Sequence, residues 1–493
     1  MNEKKSKEKS MGQVFTPFYI VDEILDICSY KGENIIEKHI IDNSCGNGAF
    51  LVNIVKRYCE QAILMGLDII TIQKHLETYI HGIDNDKAAY DDCIEILNSL
   101  ALSYGIHDVK WDMYNESALS MKKFDKKMDF VVGNPPYIRV HNLDDTYNEV
   151  KQYKFANGGM TDLYLAFFEL GFNMLNPSGK LCYITPSSWL NSLAALNMRL
   201  YIMEHQNLVS LVDLGHYQPF KNITAYTIIS LFSNDKHDSS FDYYTFNGTN
   251  LQKEFIERLS LEECYIDSYF YLSDKKSLKE LREIKTSRLD KYVSVKNGFA
   301  TLADDVFIGD NIPESRFTIR VLKASTGKWY KCLYPYNSKG KPLSKSELFS
   351  DVTVADYLNT NKDKLLKGKK EYPNWYEFGR TQALLDVSKK KLAINCLCRT
   401  EKDIKAEVVK EGEGLYSGLY IITDYSISFD EIKDIIISPS FIKYVRLLKK
   451  YKSGGYYTYN TKDVEQYVNY YITYKTNKKY DKSGVSQQSL AFF

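Results

Sequence analysis

Along the first half of the chain, short β-branched apolar runs alternate with segments of helical period. His39–Asp42 reads as a strand and Ala49–Leu64 as a helix; Thr78–Asp84 reads as a strand and Lys87–Tyr104 as a helix. Val109–Met113 and Asp129–Gly133 are short strands. Thr161–Leu175 is helical, and Pro177-Ser178-Gly179 turns the chain into a strand over Lys180–Thr185. Leu208–Leu214 and Ala225–Phe232 are two further apolar runs. This alternation predicts an α/β fold with a mostly parallel sheet. Ligands bind such sheets at the carboxyl ends of the strands, so motifs at strand ends carry the most weight. The pattern stops at Ser233–Ser240, whose polar sequence SNDKHDSS reads as a linker. Beyond it the chain is rich in Lys, Tyr and Gly with a weaker period, which predicts a mixed α+β region. The expected division is a disordered basic tail over 1–10, one domain over 11–240 and a second over 241–493.

Composition changes this picture in one respect. The 493 residues carry 64 Lys+Arg and 63 Asp+Glu, a net of +1, which by itself argues against a polyanionic partner. Residues 1–240 hold 22 basic and 30 acidic side chains, a net of −8, whereas residues 241–493 hold 42 and 33, a net of +9. The halves therefore differ in electrostatic character, as two domains with two tasks would. The start, MNEKKSKEKSMG, lacks the apolar core of a signal peptide. No stretch approaches the roughly 18 apolar residues of a membrane span. The nine Cys are scattered and form no CxxC; Cys396 and Cys398 make a CxC without a metal-binding partner segment. Reduced thiols, no metal site and a cytoplasmic location are the expectation.

Four motifs carry chemistry. Asp42-Asn43-Ser44-Cys45-Gly46-Asn47-Gly48 ends the first strand and opens a helix. Glycines there permit a tight turn, and a helix start offers free N–H groups to an anion. The third Gly of a dinucleotide fingerprint is missing, because position 51 is Leu. An Asp ahead of GxG suits an amino-acid moiety: its ammonium wants a carboxylate and its carboxylate wants N–H groups. Asp84, ending the second strand, is placed to accept from ribose hydroxyls or to cap a helix; Asp86 could take the capping role and leave Asp84 free. Asp112, in Trp111-Asp112-Met113, is read at the end of the third strand, where it would accept from an exocyclic amine. The fourth motif is Asn134-Pro135-Pro136-Tyr137 after the strand Asp129–Gly133. Two prolines rigidify this loop and leave bare carbonyls. One amide side chain and one carbonyl can then hold the hydrogens of a planar amino group, whose delocalised lone pair is otherwise a poor nucleophile.

In this order, Gln13-Val14-Phe15-Thr16-Pro17, Asp42–Gly48, Asp84, Asp112 and NPPY, followed by Asp162-Leu163-Tyr164, Phe167 and Lys180–Pro186, resemble the γ-class DNA adenine-N6 methyltransferases of restriction–modification systems. The resemblance covers roughly residues 12–231. It implies a seven-stranded, Rossmann-like sheet that uses S-adenosylmethionine, followed by a target-recognition domain over 241–493. It implies Thr16, Asp42, Ser44, Cys45 and Gly46 around the methionine part of the cofactor. Asp84 would take the ribose, Asp112 with Met113 the cofactor adenine, and Pro136 and Phe167 would pack against the cofactor. Asn134 and the Pro135 carbonyl would hold the target N6 beside the cofactor, and Tyr137 and Phe220 would stack on the two faces of an extruded adenine. Asp stands at position 42 where Glu is commoner in the family; the charge is kept. Duplex DNA is the implied partner, and a cognate restriction endonuclease is left open.

In the basic half, Lys362, Lys364, Lys367, Lys369 and Lys370 precede the Trp375-Tyr376 tract, and Lys389, Lys390 and Lys391 follow it. Cations interleaved with aromatics suit phosphate contact and stacking. Arg380 is a candidate for a base contact or an ion pair. Lys452, Ser453 and Tyr456, in the Gly-rich tract Lys452–Thr458, are candidates for a groove or for an ordinary hairpin. RNA or protein-glutamine N-methylation remains an alternative reading, as does an inactive DNA-binding module. No PD…(D/E)xK tract marks a fused nuclease.

Overall fold

The computed structural model describes residues 15–140, 147–158, 161–220, 225–235, 238–366, 374–380, 382–424 and 426–476. The basic tail expected over 1–10 lies outside them. The chain forms two compact units, residues 1–280 and 281–493.

The first unit is built on one sheet. Its strands are β1 (Ile40–Asp42), β2 (Ile80–Ile83), β3 (Asp112–Tyr114), β4 (Met128–Gly133), β5 (Leu175–Pro186), β6 (Leu208–Asp213), β7 (Thr227–Ser233), β8 (Ser240–Asn247) and β9 (Gln252–Ser260), in the order β3-β2-β1-β4-β5-β7-β6-β8-β9. β1 to β5 run parallel, and β7 is antiparallel to both β5 and β6. The sheet therefore has nine strands where seven were expected. The sheet continues past the stretch read as a linker: β8 pairs parallel with β6, and β9 folds back on β8. The boundary drawn at 240 moves to 280. This sharpens the charge division, since residues 1–280 hold 27 basic against 38 acidic side chains, a net of −11, and residues 281–493 hold 37 against 25, a net of +12.

Helices α1 (Phe18–Ile27), α2 (Ala49–Leu64), α3 (Ile69–Tyr79), α4 (Lys87–Ser103), α5 (Leu163–Met174) and α6 (Leu196–His205) flank the sheet. α2 has the bounds its periodicity predicts. Phe50, Leu51, Ile54, Val55, Tyr58, Cys59 and Ala62 recur at helical spacing and enter one core with Ile20, Ile24 and Leu25 of α1 and Cys93 and Leu97 of α4. Gly48 starts α2 at φ +90°, and a Cβ there would lie 2.8 Å from Cys93 Sγ, so the position accepts no side chain. α4 starts at Asp86, whose Oδ1 accepts from the Ala88 and Ala89 N–H groups at 2.9 and 3.2 Å. α3 and α6 were not foreseen. A short hairpin, β10 (Tyr265–Ile266) and β11 (Tyr269–Phe270), follows the sheet.

The second unit mixes sheets and helices. One sheet has the order β12 (Val293–Asn297), β20 (Leu419–Thr423), β16 (Lys391–Ile394), β18 (Ala406–Val409). Another has the order β13 (Ile308–Gly309), β15 (Lys328–Leu333), β14 (Thr318–Lys323), β19 (Gly414–Tyr416). A three-stranded ribbon has the order β17 (Leu397–Cys398), β22 (Tyr456–Thr458), β21 (Tyr451–Lys452). The helix Thr461–Tyr471 is clamped to β12 by Asn469, whose Oδ1 accepts from the Tyr292 and Val293 N–H groups. No helix among the described residues is long and apolar enough to cross a membrane.

Because Asp86 satisfies two otherwise open N–H groups of α4, Asp86→Ala is expected to lower unfolding stability by about 1 kcal/mol. A urea titration checks this, and an unchanged midpoint would refute the cap.

Candidate active site

β2, β1 and β4 lie side by side next to the edge strand β3, and their carboxyl ends deliver Asp84, Asp42 and Asn134 to one edge. Asp42 is buried, and its Oδ1 accepts from the Ser44 N–H at 3.0 Å. Gly133 approaches it so closely that a Cβ would lie 2.8 Å from Asp42 Oδ1. Burial, opposed by the Ser44 N–H and reinforced by the nearby Asp84 charge, pushes the Asp42 carboxyl up to about 8. Ser44 Oγ is buried and has no hydrogen-bond partner. Behind these residues Tyr183 of β5, two strands away, donates to Asn43 Oδ1 at 2.9 Å and fixes the start of the loop.

Asp84 is oriented by two backbone donors, Gly46 N–H to Oδ2 at 2.7 Å and Asp86 N–H to Oδ1 at 2.8 Å. Each carboxylate oxygen keeps a lone pair for a further donor. The competition between Asp84 and Asp86 for the helix cap resolves as the spacing predicts, with Asp86 capping α4.

Asn134 is pinned from the start of the chain. Its Nδ2 donates to Thr16 Oγ1 at 3.0 Å, while its Oδ1 is buried without a partner among the described residues. The Thr16 bond uses the amide's donor side and turns the acceptor toward whatever enters. Pro135 is buried and Pro136 half-buried. Tyr137 donates to the Ile184 carbonyl at 3.2 Å. Its ring meets Phe220 edge to face, with centroids 6.2 Å apart and planes at 73°. The two aromatics expected around a target base are thus brought together, with no gap for a third ring between them in this arrangement. Directly after NPPY the chain pairs with the start of α5: Val140 N–H donates to Thr161 O, and Leu163 N–H donates to Ile138 O. Phe167 is buried on that helix, one turn further along.

Three expected cofactor residues are placed differently. Asp112 opens β3 instead of closing it, and it is already engaged: its carboxylate binds His81 Nδ1 at 2.7 Å, Lys123 Nζ and, at 2.8 Å, Tyr114 OH. Burial pushes this carboxyl up, but the three donors outweigh burial and hold it well below the usual range. Met113 packs in the core, where Gly82 leaves room for its Sδ beside Leu51. Cys45 turns its thiol inward against Cys93, and its N–H donates to the Ile83 carbonyl, so it anchors the loop. The residue that the third strand does bring to Asp84 is Asn115, whose Nδ2 donates to the Asp84 carbonyl at 2.9 Å. Its signal in the sequence is only its place one residue beyond the strand.

The described atoms fit the amino-acid part of S-adenosylmethionine. A buried carboxyl suits its ammonium, the Ser44 hydroxyl lacks a partner, and the start of α2 has no side-chain cap to compete with a carboxylate. The free oxygen sites of Asp84 suit a diol.

In the second unit the basic tracts separate. Lys369 and Lys370 lie outside the described residues, as does Lys367. Lys389 pairs with Asp386 at 2.9 Å, and Lys391 is buried with its Nζ donating to the carbonyls of Asp386, Lys389 and Glu413. Burial lowers the Lys391 ammonium to about 8. That run is therefore structural at two of its three positions. Tyr376 and Phe378 are core residues. Arg380 is exposed and makes no ion pair among the described residues. Lys452–Thr458 is a hairpin with exposed Lys452 and Ser453 and a half-buried Tyr456.

Residues 56–220 match the family described as Eco57I restriction-modification methylase. The protein is similar to type II restriction–modification methyltransferases. It is 27% identical to the type II methyltransferase M.BstVI of Geobacillus stearothermophilus over 56% of this chain and 50% of that protein. It is 23% identical to M.PaeR7I of Pseudomonas aeruginosa over 91% of this chain and 84% of that protein. The chain thus spans about half the length of M.BstVI and most of M.PaeR7I. Its fold is shared with the type IIL restriction-modification enzyme MmeI, solved in complex with DNA, with a TM-score of 0.56 and 14% identity over 83% of this chain and 60% of that one.

The Asp42 carboxyl gives a pH test with a definite sign. Its value is about 4 in an unfolded chain and about 8 in the fold. Its contribution to stability is therefore fully present below about 4 and is lost as pH rises through about 8. The melting temperature of the ligand-free protein should fall more steeply from pH 6 to 9 than that of Asp42→Asn. Parallel declines in the two proteins would refute the buried, protonated state.

Proposed function

We propose that the chain transfers a methyl group from S-adenosylmethionine to N6 of an adenine extruded from a specific duplex DNA sequence, within a restriction–modification system. The observation that carries this reading is Asn134 Oδ1, a buried acceptor without a partner at the head of NPPY, with its amide nitrogen held by Thr16. S-adenosylmethionine supplies an electrophilic methyl group when bound. Asp42 and Ser44 hold its amino-acid end, and Asp84 holds its ribose. Asn134 Oδ1 and the Pro135 carbonyl accept the two hydrogens of the target amine, draw its lone pair out of conjugation and favour the charge that develops on nitrogen. Pro136 and Phe167 line the apolar side of the cofactor site.

N6 is out of reach inside a duplex, so the base leaves the stack at a cost of a few kcal/mol. Stacking on an aromatic returns about 1–3 kcal/mol per contact. Tyr137 and Phe220 are the two rings available, and their edge-to-face contact opens to admit the base. Similarity to DNA methyltransferases and a second unit of net charge +12 favour duplex DNA over RNA or a protein glutamine.

Asn134→Ala is expected to reduce turnover by at least about 100-fold, the scale of losing one preorganised partner in a transition state, while cofactor binding measured by calorimetry survives. Methylation near the wild-type rate would overturn the assignment. Phe220→Ala should lower the fluorescence gain of 2-aminopurine placed at the target position, and an unchanged gain would remove Phe220 from the stack. Equal or better methylation of tRNA or of a glutamine-bearing protein than of duplex DNA would overturn the substrate.

A further inference from the structure

Many cations of residues 281–493 are committed inside the fold. Lys296 and Lys389 pair with the buried Asp386, and Lys285 and Lys450 both close on the buried Asp463. The three-stranded ribbon β17-β22-β21 is built differently. Its tip, Ser453–Gly455, turns through two left-handed glycines, Gly454 at φ +74° and Gly455 at φ +77°, where a side chain would be strained. Lys452 and Ser453 stand exposed beside it, and Lys452 makes no ion pair among the described residues.

Arg399 follows β17 and reaches the same tip. Its Cζ lies 4.3 Å from the centre of the Tyr456 ring, and its Nη1 donates to the Gly454 carbonyl at 3.4 Å. Its backbone is held at both ends: its N–H donates to Asp403 Oδ2 at 3.0 Å, and its carbonyl accepts from Arg446 Nη2 at 2.7 Å. The carboxylate near its guanidinium, Asp403, is 3.8 Å from Nη2 in a half-exposed pair of the kind that contributes little. The side chain is 50% exposed. A rigid backbone thus presents a guanidinium that has lost most of its freedom before any ligand arrives.

We propose that this ribbon enters the major groove of the duplex, that Arg399 reads a guanine there, and that Lys452 contacts phosphate. The inference rests on the DNA methylation proposed above and goes further by naming the reader. The hairpin β21–β22 at its tip is a two-stranded ribbon of the kind that fits the major groove, and an arginine fork held against that tip matches the O6 and N7 acceptors of guanine. Fixing the fork over Tyr456 serves a planar bidentate contact, whereas a phosphate grip needs only a charge. Lys452, a mobile point charge, suits that second task.

The test uses the full chain as wild type, Arg399→Lys, Arg399→Ala and Lys452→Ala. Modified adenines are mapped in a methylation-deficient host, and kcat/KM is measured on duplexes carrying each single base-pair change. Wild type should discriminate by about 5- to 150-fold at one G·C pair, the range of a good bidentate contact. Both Arg399 variants should lose that preference and keep the others, with unchanged melting temperatures. Lys452→Ala should weaken binding to all sequences alike and reduce the salt slope by about one. An unchanged motif in both Arg399 variants overturns the proposal, as does a uniform loss on every sequence in Arg399→Lys. A wild-type chain that modifies no adenine overturns the methylation reading itself, a result separate from either of these.

Discussion

The site depends on one buried carboxyl. Asp42 ends β1, takes the Ser44 N–H, and lies against Gly133 with no room for a Cβ between them. A carboxyl in that position is stable only if it is neutral or paired with a cation. On the proposed reading a ligand ammonium would supply that cation, which favours a zwitterionic amino acid over a neutral ligand. Gly133, the residue ahead of NPPY, is part of the same constraint. It lets β4 come close enough to bring Asp42 and Asn134 to one edge of the sheet.

A second long-range tie matters as much. Thr16 and Asn134 are 118 residues apart, yet their hydrogen bond decides which way the Asn134 amide faces. Thr16 is buried at the entry to α1, and α1 packs on α2, the helix that begins after the Asp42 loop. The segment ahead of the sheet is thus tied to the loop after β4, and α1 and α2 share one packed core.

Much of this was legible in the sequence, and the failures have physical causes. α2 was read at its observed bounds because a glycine start and a clean helical period agree. β4 and NPPY were plain because a buried parallel strand ends in two prolines. Asp112 was misplaced because a three-residue strand has no periodicity to fix its register, so an acidic residue at its beginning resembles one at its end. Cys45 and Met113 were placed near the right loop and strand, but which way a small side chain turns depends on Cys93 and Gly82, far away in sequence. The polar stretch before β8 reads as a linker because a connection between two strands of one sheet and a domain junction have similar composition. Lys391 lies in what reads as a solvated basic run, and only the carbonyls gathered around it show that it is internal.

The two added strands also change how the sheet ends. β9 is an edge strand, and a bare edge invites pairing with another chain. Lys253, Glu254, Glu257 and Arg258 lie along it, Arg258 is tied to Asp238 and Asp242, and the register with β8 shifts between Tyr243 and Tyr244. Charge of both signs and a bulge make this border a poor template for a further strand. An edge of this kind disfavours strand-to-strand association between copies of the chain.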